Sequence, residues 1–237
     1  MEYHVERFYS AALVLAGNGH IKQRLVDAYE ANIEGIDSRI DDWQALSSVA
    51  VDNVRVRAAA PYVDGQALLV YAEQLSGAEL RGIDPAAEDA VSGVGDTMIA
   101  GKLDSLAAGE FNIVLGVELA SALQVGVGDK VTVTLAEGIV TPAGVVPRTK
   151  RFVVSGIYRV GMYEFDRRLA FINILDAQKL YRMRDAVTGV RLAVTEIFAA
   201  PNIVREVARA YGEVVLVNDW TRRHVNFFRS IQITKSI

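Results

Sequence analysis

Residues 53–85 read NVRVRAAAPYVDGQALLVYAEQLSGAELRGIDP, and the fold turns on this stretch. Val54, Arg55, Val56 and Arg57 alternate with the period of two that sets one face of a strand on a core. Extended structure continues over residues 58–63. Pro61 holds Ala60 in extended angles and brings no amide donor, which predicts a sheet edge or a strand end at that point. Two further runs, residues 67–73 and 77–83, flank a short polar turn and predict a hairpin. Asp84-Pro85 stops the second strand.

Towards the N-terminus, residues 5–50 read mostly as helix. Leu25, Tyr29, Ile33, Ile36 and Ile40 recur at three- and four-residue steps between Lys22, Arg24, Asp27, Glu30 and Glu34. Gly17-Asn18-Gly19 marks a helix end or kink. A short helix is expected over residues 42–49, capped by Asp41 or Asp42.

In the other direction, residues 85–110 are rich in small residues and loops, with a short helix expected at 86–91. Strands are predicted at residues 111–115, 130–135, 152–160, 169–174, 190–194 and 214–217. Helices are predicted at 116–123, 176–182 (packing through Leu180 and Tyr181) and 201–211, where Pro201 suits a first turn. A last helix is expected to start at Asn218 or Asp219 and to run past Phe228. Helix and strand at both ends therefore flank a strand-rich middle. The prediction is an α+β fold with a discontinuous outer subdomain and a mainly β insertion at about 95–185.

Composition sets bounds but assigns nothing. The chain has 237 residues, 51% hydrophobic and 23% charged, enough for a sizeable core. A net charge of −4 gives no broad attraction for nucleic acid. The absence of cysteine removes disulfides and thiolate chemistry. No run approaches the roughly 20 apolar residues of a spanning helix. The short apolar run at residues 11–16, after Phe8 and Tyr9, reads either as an amphipathic helix start or as a relic of a preceding membrane helix. Glu2 and Glu6 spoil it as a signal leader.

The usual catalytic patterns do not assemble. His4, His20 and His224 lie far apart with no carboxylate at ligand spacing. Gly126 and Gly128 precede a strand rather than a helix, so they form a turn before Lys130 and not a dinucleotide loop. Gly93-Val94-Gly95-Asp96 and Gly101-Lys102 lack the spacing of a phosphate loop. Ser155 has no elbow glycine before it. Asp41-Asp42 read as capping residues, and Glu164 with Asp166 as a loop face. No catalytic, cofactor-binding or metal-binding residue is assigned, and the chain is expected not to be an enzyme.

Residues 137–151, EGIVTPAGVVPRTKR, stand apart. They separate two convincing strands, so the connection is a hairpin loop far longer than usual. Ile139, Val140, Val145 and Val146 are too aliphatic for a disordered tract. Pro142 and Pro147 stiffen the backbone and reduce the entropy lost on ordering. An apolar, stiffened hairpin followed by Arg148, Lys150 and Arg151 has the chemistry of a partner-binding prong. The competing reading is a hairpin folded back on its own domain.

Several strings carry a family resemblance. Arg81-Gly82-Ile83-Asp84-Pro85, Ile113-Val114-Leu115-Gly116-Val117-Glu118-Leu119-Ala120 and Gly128-Asp129-Lys130-Val131 resemble segments of LolC and LolE periplasmic domains. Thr141-Pro142-Ala143-Gly144-Val145-Val146-Pro147 resembles the hook of the LolC type. Residues 156–164, 176–181 and Asp219-Trp220 with Phe227-Phe228 continue the match. It spans about residues 43–235 in order; residues 1–42 match poorly.

This resemblance implies the periplasmic domain of a permease subunit from a MacB-type ABC transporter in the Gram-negative inner membrane. It implies ATP hydrolysis in a separate LolD subunit, a partner LolC or LolE subunit, a lipoprotein substrate, and delivery to the periplasmic carrier LolA. It also implies a Porter-like α+β subdomain (residues 43–94 and 186–237) with an inserted β-rich Sabre-like subdomain (residues 95–185). The N-terminal segment 1–42 lies outside both. The implied LolA hook comprises Val140, Thr141, Pro142, Ala143, Gly144, Val145, Val146 and Pro147. The implied pad beside it comprises Thr149, Lys150 and Arg151. The family's further basic pad position falls on Thr132 here. The alternative is a scaffold domain of a MacB-like efflux or division complex.

Overall fold

The predicted hairpin is the axis of the fold, and it is longer than its sequence pattern shows. A computed structural model describes residues 31–135, 139–141, 144–196 and 199–219. Its first half contains β1 (Ala31–Gly35), α1 (Trp43–Asp52), β2 (Val56–Tyr71), β3 (Gln74–Ile83), α2 (Pro85–Ser92), β4 (Met98–Gly101), β5 (Asn112–Gly116) and α3 (Val117–Leu123). There follow β6 (Lys130–Leu135), β7 (Ile139–Thr141), β8 (Gly144–Val146), β9 (Thr149–Tyr158) and α4 (Tyr163–Arg168). The chain then forms β10 (Leu169–Asn173), α5 (Ile174–Tyr181), β11 (Gly189–Val194), α6 (Ala200–Tyr211) and β12 (Val215–Asp219).

Strand β2 runs unbroken through Pro61, contrary to the expected strand end. The Tyr62 carbonyl accepts from the Thr188 amide on the β11 side at 2.9 Å. Peptide groups alternate sides along a strand, so the nitrogen of Pro61 points to the opposite side. There β3 has already ended, with Ile83 opposite Tyr62. The missing donor faces no ladder, and a proline is tolerated in mid-strand. The turn also shifts from its expected place: Tyr71 pairs with Gln74, and Ala72 takes a positive φ of 49°.

One side of β2 serves two neighbours in succession. Val56 to Tyr62 pair with β11, and Ala67 to Val70 pair with β6. The amide of Asp64 in the interval is taken by the Thr188 hydroxyl at 3.0 Å. β3 accompanies β2 along its other side. The result is a wing, β12-β1-β11-β2-β3, and a ring in which β3, β10, β5, β9 and β6 lead back to β2. Closing the ring gives each of these six strands a partner on both sides. Leu69, Leu80, Ile113, Leu115, Val133, Val154 and Ile172 alternate onto the interior and belong to the main core. The wing and the ring share β2 and β3, so the sheet passes from residues before 94 to residues after it without interruption.

Helix α5 lies tightly against the shared hairpin. A β-carbon on Gly82 would stand 2.2 Å from that of Ala177, and one on Gly65 would meet the Tyr181 ring at 2.3 Å. Helices α1 and α6 cover one face of the wing with Leu46, Ala50, Ile203, Val204 and Val207. Asp42 caps α1 by accepting from the Ala45 amide at 3.2 Å, as its position predicts. Pro85 opens α2 behind the Asp84 cap.

Four further expectations are corrected. Residues 31–35 are strand, not helix: Ile33 is fully buried between β11 and β12, and pairing on both sides outweighs a helical spacing that short isoleucine-rich stretches also satisfy. Leu25, Tyr29 and Gly17-Asn18-Gly19 lie outside the described residues. β12 runs on through Asn218 and Asp219, past the expected strand end at 217, and they pair with Asn32 and Ala31; the expected final helix lies beyond the described residues. Strand β4, unseen within the loop-rich 85–110 region, is held by pairing to β9. Asp166 is not on a solvent face: it sits buried in α4 and accepts from the Val160 and Gly161 amides at 2.8 and 2.9 Å. Burial raises its pKa against the pull of those two hydrogen bonds.

On the α2 face of the wing lies a buried charge network. Arg191 pairs with Glu88 of α2, both almost completely buried. Arg81 clamps Asp64 with two bonds of 2.6 and 2.7 Å and also reaches Glu79. The Tyr62 ring lies beside both guanidinium groups, at 5.4 and 5.2 Å, and its hydroxyl donates to Glu34 at 3.0 Å. Burial pushes the tyrosine pKa well up and that of Arg191 down. Glu88→Ala would strand the arginine, and a loss of about 3–5 kcal/mol in denaturant-measured stability is expected. Replacing both partners together by methionine should recover most of that loss.

Candidate partner-binding hairpin and its base

The pad and hook positions follow from one ladder. β6 and β9 pair antiparallel from Lys130 opposite Val153 to Thr134 opposite Thr149. The Leu135 amide donates to the Arg148 carbonyl at 2.9 Å and closes the ladder. Beyond that bond the chain leaves the main sheet. β7 and β8 pair with each other, Ile139 with Val146, Val140 with Val145 and Thr141 with Gly144, as a separate two-stranded sheet. The segment expected as one long loop therefore contains a second, short hairpin of its own. Pro142 and Ala143 lie outside the described residues. Pro147, between β8 and β9, is exposed.

Strand alternation divides the three pad residues. Thr149 and Arg151 share a face with Thr134 and Thr132, and the two threonine hydroxyls of Thr134 and Thr149 stand 3.3 Å apart. Lys150 belongs to the opposite face, with Val133 across from it and Phe152 two residues on. All three are exposed. The Lys150 ammonium sits 3.7 Å over the centre of the Phe111 ring. Arg148, at the foot of the hairpin, reaches the Leu180 carbonyl at the end of α5 at 3.5 Å, where a cation meets the negative end of the helix.

Phe111 and Asp176 are the residues that sequence reading missed here. Asp176, wholly buried at the start of α5, accepts from the amides of Gly109 at 2.8 Å and Phe111 at 3.2 Å. The Phe111 carbonyl accepts from Val153 at 3.0 Å, and its ring meets Phe152 edge-on with centroids 5.6 Å apart. No local pattern announces a contact across 65 residues. The one available signal was an aromatic residue directly after the turn-forming Gly109-Glu110.

The other candidates resolve into structure. Gly126 and Gly128 form the expected turn before β6: the Gly126 amide donates to the Asp129 carboxylate at 2.8 Å, and Gly128 has φ 101°. Ser155 accepts from the Ser105 hydroxyl at 2.8 Å. His4, His20 and His224 lie outside the described residues. Among the described residues, no group of three or more His, Asp or Glu is placed to hold a metal, and no helix is long and apolar enough to cross a membrane. A cleft of about 310 Å³ opens beside Tyr62, Asp64, Arg81 and Arg191, but its charges answer one another as described above.

Residues 7–210 match the family described as the MacB-like periplasmic core domain. The chain is 44% identical over 214 residues to the lipoprotein-releasing system transmembrane protein LolC of Neisseria meningitidis serogroup B, covering 90% of this chain and 52% of that protein. It is 42% identical to LolC of Xylella fastidiosa, covering 92% and 52%. The chain thus spans about half the length of the curated relatives it matches. Among solved structures, the extracellular domain of the noncanonic ABC-type transporter YknZ from Gram-positive bacteria superposes with a TM-score of 0.52 at 10% identity. That likeness covers 80% of this chain and 99% of the other, and it bears on the fold alone.

The Asp176 anchor makes a definite expectation. Asp176→Asn keeps the side-chain shape but offers one oxygen where two amides arrive. Amide exchange at Gly109 or Phe111 should accelerate, with stability falling by about 1–2 kcal/mol. Exchange unchanged at both amides would remove Asp176 as the anchor.

Proposed function

The chain belongs to the MacB-like periplasmic core domain family, and from that premise we propose that it is the periplasmic domain of a LolC-type lipoprotein-releasing permease subunit that docks the carrier LolA. The observation that carries this reading is the β7–β8 hairpin. Its backbone pairs with itself as a two-stranded sheet separate from the ten-stranded one, and in the chain it follows the last closing bond of the β6–β9 ladder. A hairpin fixed at its foot and free of the main sheet is a prong for another protein.

The hook residues are Val140, Thr141, Pro142, Ala143, Gly144, Val145, Val146 and Pro147. Aliphatic and proline side chains suit the apolar mouth of a lipid carrier. At about 25 cal/mol per Å² of apolar surface removed from water, a few such groups supply several kcal/mol before ordering costs. Stiffening by Pro142 and Pro147 reduces those costs. Thr149, Lys150 and Arg151 lie at the base, where cations orient an approaching partner and speed its association more than they tighten it.

The remaining assignments follow the same reading. The domain stands at the periplasmic face of the Gram-negative inner membrane and performs no catalysis. ATP hydrolysis resides in a separate LolD subunit, reached through a membrane portion shared with a partner LolC or LolE subunit. Residues 43–94 and 186–237, with most of the wing, make up the Porter-like part, and residues 95–185, with β4 to β10, the Sabre-like part. Ala31 and Asp219 are register partners at the rim of the wing, so the chain enters and leaves side by side. Movement imposed there reaches the ring through β2 and β3, toward the lipoprotein being handed over.

Val145→Ser, Val146→Ser and Pro147→Gly together should abolish capture of the LolA-type carrier while leaving the circular dichroism spectrum unchanged. Undiminished capture would remove the hook assignment. Capture of an outer-membrane channel partner in place of the carrier would move the reading to an efflux scaffold.

A further inference from the structure

Phe111 has φ 53°, the only aromatic residue with a positive φ among the described residues. A bulky side chain rarely adopts this left-handed backbone, and such strain persists only where the surroundings over-determine it. Here they do. The Asp176 carboxylate takes the Gly109 and Phe111 amides, and the Phe111 carbonyl takes the Val153 amide. The backbone is thus pinned from α5 on one side and from β9 on the other.

The strained conformation aims the ring. One part of it packs edge-on against the fully buried Phe152, at an interplanar angle of 78°. Its face lies under the Lys150 ammonium at 3.7 Å. Lys150 remains exposed as a residue while its ammonium lies on the ring. It is also the pad residue that alternation turns away from Thr149 and Arg151, and Phe111 gives it a fixed seat on that other face.

We propose that Phe111 is a positioning residue, holding the Lys150 ammonium on its ring so that the ammonium's open side meets a carboxylate on the docked carrier. This rests on the carrier-docking reading above. The ring attracts the cation through its negative face and constrains a long, flexible side chain that would otherwise lose rotamer freedom on binding. The expected partner surface is therefore an acidic group reached from the foot of the hook, opposite the face that carries Thr149 and Arg151.

Two readouts test it. In the chain alone, the Lys150 ε-methylene NMR signals should be shifted upfield by the ring, return to the free-lysine position in Phe111→Leu, and stay shifted in Phe111→Tyr. In titrations with the LolA-type carrier, Phe111→Leu and Lys150→Met should each weaken binding by about three-fold, with no further loss in the double variant. Phe111→Tyr should bind like the parent.

Unshifted lysine signals in the parent chain would overturn the seat whatever the carrier does. A shifted signal, with carrier affinity unchanged in Phe111→Leu and Lys150→Met but lost in the hook variants, would overturn the presenting role and leave docking intact. A parent chain that does not bind the carrier at all would sink the docking reading, and the presenting role with it.

Discussion

Strand β2 has to satisfy more neighbours than one strand normally meets. Of its sixteen residues, Tyr62 to Tyr71 pair with β3 along one side, and β11 and then β6 take the other. Each exchange of partner leaves backbone groups to be answered by something else, and burial makes an unanswered group costly. Thr188 answers the interval with its amide and its hydroxyl, to Tyr62 and Asp64. Wing and ring could not share a hairpin otherwise, and the position of every other strand follows from that sharing.

The same hairpin connects the charge network to the prong. Asp64 and Arg81 lie on β2 and β3 where the wing gives way to the ring, and they hold the strands in register through a bidentate pair. Ring closure through β6 then fixes where β6 and β9 end. The β7–β8 hairpin follows from that end, and its foot is held by the Leu135–Arg148 bond and by the contact of Arg148 with the end of α5. α5 is in turn seated on Gly65 and Gly82 of the hairpin, where any side chain would collide with it. The foot of the β7–β8 hairpin is therefore tied to the core of the domain.

The local elements were largely legible. Asp42 and Asp84 as caps, the glycine turn before Lys130, and the helices after Leu115 and Ile172 all arise from interactions spanning a few residues, which leave their mark in sequence. The misreadings share one cause. Ile33, Pro61 and Asn218 carry local signals that distant pairing overrode: β1 exists because β11 and β12 flank it, and Pro61 is accommodated because β3 stops one residue short. Asp166 looked exposed because the amides it serves become available only when α4 folds back on residues 160–161.

The segment read from sequence as hook and pad shows the same division. The branched aliphatics and two prolines of residues 137–151 already distinguish a stiff apolar hairpin from an ordinary loop, because composition fixes its affinity for water and its backbone freedom. Three adjacent residues, Thr149, Lys150 and Arg151, look like one patch in sequence. Pairing with β6 separates them, because successive side chains of a strand leave opposite faces of the sheet. Phe111 is likewise an unremarkable strand residue in the linear chain. Its left-handed backbone and its seat beneath Lys150 require a carboxylate supplied from 65 residues away, and only the closed ring brings that carboxylate within reach.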